Sequence, residues 1–156
     1  MSVKVERLLV NYKTLDEFKK FKEYGLQELS MLEDLQANLI EDNSESPFYG
    51  IHYADKLIAR MSLYKMDGSE NKYFEDEKDY YEIWKLEVLP DYQRKGYGTM
   101  LVDFAKSFGC PLKTNPRIHS RNFWEAQGFE PVSYDMERDL GENPLIWYPE
   151  GVKPTA

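Results

Sequence analysis

Residues 81–99, YEIWKLEVLPDYQRKGYGT, determine the predicted fold. An apolar strand stops at Pro90, and a polar turn then leads through Gly96-Tyr97-Gly98 into an amphipathic helix. The first backbone N–H groups of a helix have no intrahelical partner, and together with the helix dipole they attract anions. Because glycine lacks Cβ, the backbone at Gly96 and Gly98 can approach a ligand closely. The stretch therefore predicts a phosphate-binding turn.

Three kinds of phosphate ligand are considered for this turn. The dinucleotide fingerprint G-x-G-x-x-G fails because its third glycine position falls on Leu101. The nucleotide-binding P-loop fails because Gly98-Thr99-Met100 lacks the required lysine. The third candidate is the pyrophosphate of coenzyme A. Gln93-Arg94-Lys95-Gly96-Tyr97-Gly98 resembles the Q/R-x-x-G-x-G/A signature of the GNAT N-acetyltransferase superfamily.

A second match to this superfamily lies downstream, in Ser120–Phe129, SRNFWEAQGF. It resembles the later helix of the family, which ends with an aromatic residue, three further residues and Gly-Phe. The resemblance covers roughly residues 80–148. It implies an α/β (α+β) fold, and the length of 156 residues suits a single domain, residues 1–156. The sheet is expected to be mixed and mostly antiparallel, with about seven strands splayed at the centre and about four flanking helices.

The pattern of apolar and turn residues predicts the element order β-α-α-β-β-β-α-β-α-β-β. A Thr14–Glu17 capping box is predicted to open the first helix, and Gly25 to end it. The charged segment 67–79 is predicted to be a solvated loop, with a mobile wall that recruits a basic acceptor as the alternative. The predicted strands are 3–10, 48–53, 57–66, 80–89, 110–114, 129–139 and 145–148. The other predicted helices are 27–40, 98–108 and one that ends at residue 127.

The resemblance implies acetyl-CoA as the cofactor and direct attack of an amine on its thioester in a ternary complex. The pantetheine arm is then expected to pair with backbone groups of Leu86 and Val88. The pyrophosphate is expected to meet a turn formed by Gln93, Arg94, Lys95, Gly96, Tyr97, Gly98 and Thr99.

Trp124 occupies the position where many relatives have a tyrosine that protonates the departing thiolate. An indole N–H is a donor but not a usable acid, so that acid is absent at this position. Trp124 is instead expected to pack against the pantetheine arm or the core. Tyr148 or Tyr134 could take over the acid's role, and the sequence does not choose between them.

Glu82 is the candidate catalytic residue, a general base that takes a proton from the acceptor amine. It lies eleven residues before Gln93, a spacing similar to that of the base in the histone-acetyltransferase branch. Period-two alternation places it with Trp84, Leu86 and Val88 on an apolar face, where the pKa of a carboxylate is expected to rise. The alternative is a solvated glutamate near the start of a strand. Glu87, on the other face, is the weaker candidate.

The net charge of −8 argues against a nucleic-acid partner and suits a cationic acceptor, a small-molecule or peptide amine. The single Cys110 forms no internal disulfide, and the two histidines lack metal-ligand spacing. No stretch has the length and apolarity of a membrane span. A cytoplasmic enzyme without a metal is expected, with a homodimer possible. The alternative function is a non-catalytic acyl-CoA-binding or sensing module.

Overall fold

The computed structural model describes residues 3–23, 46–69, 73–75, 79–116, 120–139 and 141–154. These residues contain seven strands and three α-helices. The predicted helix over 27–40 and the predicted helix end at Gly25 lie outside the described residues. No helix within the described ranges combines the length and the apolar character needed to cross a membrane.

The observed elements of the described residues follow the predicted order, and most of them are shorter than predicted. Strand 48–53 has the predicted bounds, and the next strand begins one residue earlier, at Lys56. The helices are α1 (Tyr12–Glu23), α2 (Tyr97–Lys106) and α3 (Arg121–Ala126). The strands are β1 (Val5–Arg7), β2 (Phe48–Tyr53), β3 (Lys56–Met66), β4 (Tyr80–Val88), β5 (Leu112–Thr114), β6 (Glu130–Pro131) and β7 (Leu145–Trp147).

The seven strands form one sheet in the order β1-β2-β3-β4-β5-β7-β6. The pairs β1–β2, β2–β3, β5–β7 and β6–β7 are antiparallel. The pair β4–β5 is parallel, and its register ends at Ile83 and Thr114 although β4 continues to Val88. The mixed, mostly antiparallel sheet confirms the predicted fold class.

The chain divides into two compact units, and β3, β4 and α2 contribute residues to both. The first unit comprises Met1–Leu63 and Lys85–Leu101, and the second comprises Tyr64–Trp84 and Val102–Ala156. That the whole chain behaves as a single domain stays a prediction.

The core of the first unit is aliphatic and aromatic, with α1 packed on the strands. Its buried members are Leu8, Leu15, Phe18, Phe21, Phe48, Leu57 and Leu89. The start of α1 differs from the prediction, because the Thr14 N–H donates to Asn11 Oδ1 at 3.0 Å. Asn11 therefore caps the helix, and Thr14 lies inside it. Glu17, the other end of the predicted capping box, lies 3.1 Å from His52 Nε2 instead.

A buried ion pair lies within this core. Arg60 is 1% exposed, its Nε donates to Glu87 Oε1 at 2.9 Å, and its guanidinium lies 4.7 and 4.3 Å from the ring centroids of Phe18 and Phe21. Burial lowers the pKa of Arg60, and the Glu87 carboxylate opposes that change. Removing one partner of such a pair costs about 3–5 kcal/mol, so the pair fixes α1 against β3 and β4.

The core of the second unit corrects the interpretation of segment 67–79 as a solvated loop. Tyr73 and Phe74 are each 2% exposed and pack with Tyr80 and Ile146. Phe74 forms an antiparallel bridge with Pro154, and the Glu75 N–H donates to the Lys153 carbonyl at 2.9 Å. Because most residues of the segment are charged or polar, the sequence did not predict that these two aromatic side chains are buried.

The predicted strand 129–139 is also wrong in length, because only Glu130–Pro131 forms β6. After it, Asp135 Oδ1 accepts the N–H groups of Glu137 and Arg138, and the Asp139 N–H donates to the Asp135 carbonyl at 2.8 Å. An aspartate side chain that binds nearby N–H groups favours a turn over a strand, and Asp135 does so here.

Candidate functional site

The turn between β4 and α2 has the geometry of an anion site. A 3-10 helix over Pro90–Tyr92 follows β4, and the backbone then becomes left-handed at Arg94 (φ 61°) and Gly96 (φ 91°). The Gly96 carbonyl accepts the Met100 N–H at 3.0 Å, so Gly96 is the residue that caps α2. The amides of Tyr97 and Gly98 therefore belong to the first helical turn, where N–H groups have no intrahelical partner.

Two details of this turn go beyond what its sequence indicates. Gly96 has a positive φ, and no atom lies within 4 Å of the position that a Cβ would take, so its backbone lies beside open space. Gly98 is an ordinary helical residue of α2 and does not need its conformational freedom. Arg94 is left-handed although it is not glycine, which costs about 1–2 kcal/mol. Backbone strain of this kind is concentrated at ligand sites.

The alternating direction of the backbone N–H groups along β4 is interrupted before this turn, an interruption that we call the phase change. The Tyr81 N–H donates to Pro111 beside β5 at 3.0 Å, whereas the Leu89 N–H donates to Ile58 of β3 at 2.8 Å. In a regular strand, residues an even number apart face the same neighbour. One residue therefore interrupts the alternation between these points, as at a β-bulge. The regular alternation assumed for Glu82, Leu86 and Val88 does not run through the whole strand.

This phase change bears on the predicted pantetheine contacts. Leu86 and Val88 are both half-buried. The Leu89 N–H faces β3, and the backbone groups of neighbouring residues in a strand point in opposite directions. The N–H and C=O groups of Val88 therefore face away from β3. The Val88 carbonyl accepts a hydrogen bond from Gln93 Nε2 at 2.9 Å, so the first residue of the signature is bonded back to the end of β4.

Lysine and tyrosine side chains surround the turn, and the sequence pattern did not point to Lys56 among them. Lys56 Nζ lies 5.8 Å from the centroid of the Tyr92 ring, and Lys95 Nζ lies 5.9 Å from the same centroid. Tyr53 and Tyr97 pack on that ring at centroid distances of 6.1 and 6.4 Å. Lys56 reaches this position through the β2–β3 hairpin, whose two turn residues both have positive φ.

The candidate base lies in the second unit, in an ionic environment rather than an apolar one. Glu82 is 8% exposed, and Glu82 Oε1 lies 3.2 Å from Lys113 Nζ. The same Nζ lies 3.4 Å from Glu142 Oε2. The Glu82 and Lys113 side chains are opposite each other in the β4–β5 ladder. The alternative of a solvated glutamate does not describe this side chain.

Trp124 lies in the core of the second unit. It is 5% exposed and contacts Phe123 and Phe129 at ring-centroid distances of 5.2 and 5.1 Å. Its carbonyl also accepts the Phe129 N–H at 3.1 Å, next to the left-handed Gly128. The side chain thus packs between α3 and the residue that follows the Gly128 turn. A contact between Trp124 and a cofactor stays a prediction.

The two tyrosines considered as replacement acids differ in environment. The Tyr148 hydroxyl donates to Glu130 Oε1 at 2.8 Å, which raises the pKa of Tyr148 and makes it a weaker acid. Tyr134 is 60% exposed. No group of His, Cys, Asp and Glu side chains suited to a metal ion occurs among the described residues.

Comparison with known proteins agrees with this geometry. The model of the acetyltransferase (GNAT) family matches residues 11–129, which include the turn and α3. The chain belongs to the GNAT acetyltransferase family. An uncharacterized N-acetyltransferase of Bacillus licheniformis is 70% identical over 147 residues, which are 94% of this chain and 92% of the relative. The uncharacterized N-acetyltransferase YlbP of Bacillus subtilis is 66% identical over 147 residues, with the same coverage.

Two solved structures share the fold. The crystal structure of B. subtilis YlbP in complex with coenzyme A has a TM-score of 0.81 and 64% sequence identity, and the match covers 96% of this chain and 98% of that chain. A Pyrococcus horikoshii protein has a TM-score of 0.68 at 15% identity, over 96% of this chain and 99% of that chain, and shows the likeness in fold alone.

Proposed function

We propose that the protein transfers an acetyl group from acetyl-CoA to a primary amine. The observation that carries this proposal is the left-handed turn at Arg94–Gly96, which opens α2 directly after β4. Such a turn presents helix-start amides and positive side chains to an anion. The relative crystallised with coenzyme A, 64% identical over nearly the whole chain, supports coenzyme A as that anion's carrier.

The residues of the turn fit the pyrophosphate of the cofactor. The amides of Tyr97 and Gly98 would donate to phosphate oxygens, with Thr99 next in the same helical turn. Arg94, Lys95 and Lys56 would add positive charge, and a net charge of −8 for the whole chain makes that local charge necessary. The open space beside Gly96 is where a side chain would otherwise obstruct the ligand.

The pantetheine arm would lie along the end of β4. Backbone groups of Leu86 and Val88 would pair with its amides, as an added strand pairs with a sheet edge. Gln93 would exchange or share its hydrogen bond to the Val88 carbonyl when the arm binds, because both use the same acceptor. Trp124 would contribute by holding α3 rigid.

Acetyl-CoA supplies the acetyl group as a thioester. A backbone N–H of β4 would stabilise the negative charge that develops on the carbonyl oxygen. Glu82 would accept the proton that the amine must lose, either directly or through water. The departing thiolate needs no dedicated acid, since a thiol has a pKa of about 8.5. Trp124 in place of a tyrosine is compatible with this chemistry.

The experiment that tests the function is release of free CoA thiol from acetyl-CoA in the presence of a panel of primary amines. The panel should contain polyamines, aminoglycosides, amino acids and short lysine peptides, with acetyl-CoA alone as the blank. We expect thiol release above the blank with at least one amine. We also expect Glu82→Gln to lower kcat most at the higher pH values, where the parent's base is active, with CoA affinity unchanged. CoA binding without turnover on any amine would instead favour a sensing module.

A further inference from the structure

Lys113 is a buried charged side chain that the proposed reaction does not yet use. It is 6% exposed, and its ammonium lies between two carboxylates, 3.2 Å from Glu82 Oε1 and 3.4 Å from Glu142 Oε2. Glu82 is also buried, whereas the Glu142 side chain is 44% exposed. The three residues come from β4, β5 and the loop before β7. They form a short row of alternating charge that extends from the interior to solvent.

An aromatic ring limits where this ammonium can move. Lys113 Nζ lies 4.8 Å from the centroid of the Tyr73 ring, and the Arg138 guanidinium lies 4.2 Å from the same centroid. The Tyr73 hydroxyl donates to Asp139 Oδ1 at 2.8 Å, and Arg138 Nε donates to the same oxygen at 2.9 Å. Burial, and then the bond to Asp139, raise the pKa of Tyr73, so the ring stays neutral.

Burial of an ammonium costs several kcal/mol unless its donors are satisfied, so a buried lysine needs an explanation. An apolar residue at this position would fill the same space between β4 and β7 at lower cost. What Lys113 adds is a fixed positive charge within hydrogen-bonding distance of the Glu82 carboxylate. A nearby cation favours the ionised form of a carboxylate and limits its orientations.

We propose that Lys113 is a positioning residue that pairs with the Glu82 carboxylate and orients it to accept the proton of the acceptor amine. This inference rests on the proposed role of Glu82. As the nitrogen–carbon bond forms and the carbon–sulfur bond breaks, the amine proton moves to a Glu82 oxygen and later to solvent. Lys113 neither gives nor takes a proton. Glu142 shares the ammonium from the solvent side.

Charged and titratable groups lie around Glu82 and Lys113 on several elements of the described part of the chain. Lys113 faces it from β5, and Glu142 faces Lys113 from the loop before β7. Tyr73, Asp139 and Arg138 lie beyond the ammonium. Removing the positive charge should make the carboxylate harder to ionise. Removing Glu142, a negative charge that competes for the ammonium, should make Glu82 easier to ionise.

The test is the pH dependence of kcat for thiol release with saturating acetyl-CoA and the best amine, together with the melting temperature of each variant. The acidic limb is the part of the pH profile in which kcat falls as the pH is lowered. For Lys113→Met we expect a kcat at least tenfold lower and an acidic limb shifted to higher pH by roughly 1–3 pH units. Lys113→Arg keeps the charge and should return the limb towards that of the parent. Arg138→Met is the matched control, because it disrupts the Tyr73–Asp139 network without touching Glu82. It should lower the melting temperature and leave the limb in place.

The outcomes separate this inference from the proposed function. If Glu82→Gln retains the parent's rate and profile, Glu82 is not the base, and the role of Lys113 fails with it. If Glu82→Gln removes the acidic limb but Lys113→Met keeps it, the base stands and only the inference is wrong. If Lys113→Met does not fold, Glu142→Gln decides. Its acidic limb should move to lower pH, and an unmoved limb would overturn the proposal.

Discussion

Gly96→Glu is the sharpest perturbation of the proposed phosphate site, because it changes backbone freedom and charge at one position. Gly96 has φ 91°, a left-handed conformation that costs an ordinary residue about 1–2 kcal/mol. No atom lies within 4 Å of the position its Cβ would take, so steric overlap with the protein adds nothing. For a chain of this length, that loss lowers the melting temperature by about 2–8 °C.

The effect on binding is larger and has a different cause. A carboxylate at Gly96 would lie beside the phosphates that the start of α2 is proposed to hold. Two like charges 4 Å apart repel by about 1 kcal/mol in water and about 4 kcal/mol at an effective dielectric constant of 20. The affinity for coenzyme A should therefore fall by a factor of about 5 to 1,000. Gly96→Ala carries the backbone cost alone and should lose much less affinity.

Gly109 offers a matched control at the other end of α2. It too has a positive φ, 73°, and no atom within 4 Å of its Cβ position. Gly109→Glu therefore has the same backbone cost and the same added charge. The helix dipole favours a carboxylate at the start of a helix and disfavours one at its end, by about 0.3–1 kcal/mol each. Gly109→Glu should be the less stable variant and should still bind coenzyme A like the parent.

Isothermal titration calorimetry with coenzyme A at low and high salt is the assay, with thermal unfolding recorded in parallel. The loss caused by Gly96→Glu should shrink at high salt, because salt screens the repulsion. The site assignment is wrong if Gly96→Glu binds within twofold of Gly96→Ala. It is also wrong if Gly109→Glu loses as much affinity as Gly96→Glu, because stability rather than location would then explain both.

Three other variants test separate parts of the structure. Lys56→Gln should weaken coenzyme A binding severalfold and reduce its salt dependence, as measured by titration at several salt concentrations; an unchanged salt slope would exclude Lys56 from the site. Arg94→Gly removes both the left-handed strain and a positive charge, so unfolding should show equal or higher stability together with weaker coenzyme A binding; unchanged affinity would show that neither the strain nor the charge of Arg94 has a binding role. Burial alone would raise the pKa of Asp139, but hydrogen bonds from Arg138, the Asp135 N–H and Tyr73 outweigh it and lower the pKa to about 2. The ionised Asp139 therefore stabilises the fold above about pH 3.9, the pKa of an aspartate in the unfolded chain, and this stabilisation is lost as the pH falls towards 2. In Asp139→Asn the free energy of unfolding should depend less on pH in that window, and an unchanged pH dependence would contradict the assignment.

The parts of the fold that the sequence predicted correctly depend on local chemistry. Pro90 cannot continue a central strand, and Gly96 accepts the left-handed backbone that caps α2. Two short runs of mainly apolar residues, 48–53 and 57–66, separated by a short turn, are enough to predict the β2–β3 hairpin. Each of these signals lies within a few residues of the feature it determines.

The features that the sequence did not reveal depend on pairing between distant segments. Lys113 lies opposite Glu82 only because β4 and β5 pair in one register, across 31 residues of chain. The phase change in β4 became visible only from the partners of Tyr81 and Leu89. The burial of an aromatic residue within a charged segment, such as Tyr73, cannot be predicted from the composition of the segment, because composition is an average over buried and exposed residues alike.

Two glutamates of β4, whose side chains are each 10% exposed, illustrate why such an ion pair does not by itself indicate catalysis. Glu87 pairs with Arg60, whose guanidinium lies over two phenylalanine rings and is enclosed by α1. A guanidinium cannot be deprotonated in a protein, and its planar set of N–H donors holds the carboxylate in one orientation. The Arg60–Glu87 pair therefore has a structural role. Glu82 pairs with a lysine that a half-exposed glutamate shares, so protons and water can reach that end of the network. This difference between their partners favours Glu82 over Glu87 as the base, because a base must return its proton to solvent after each turnover.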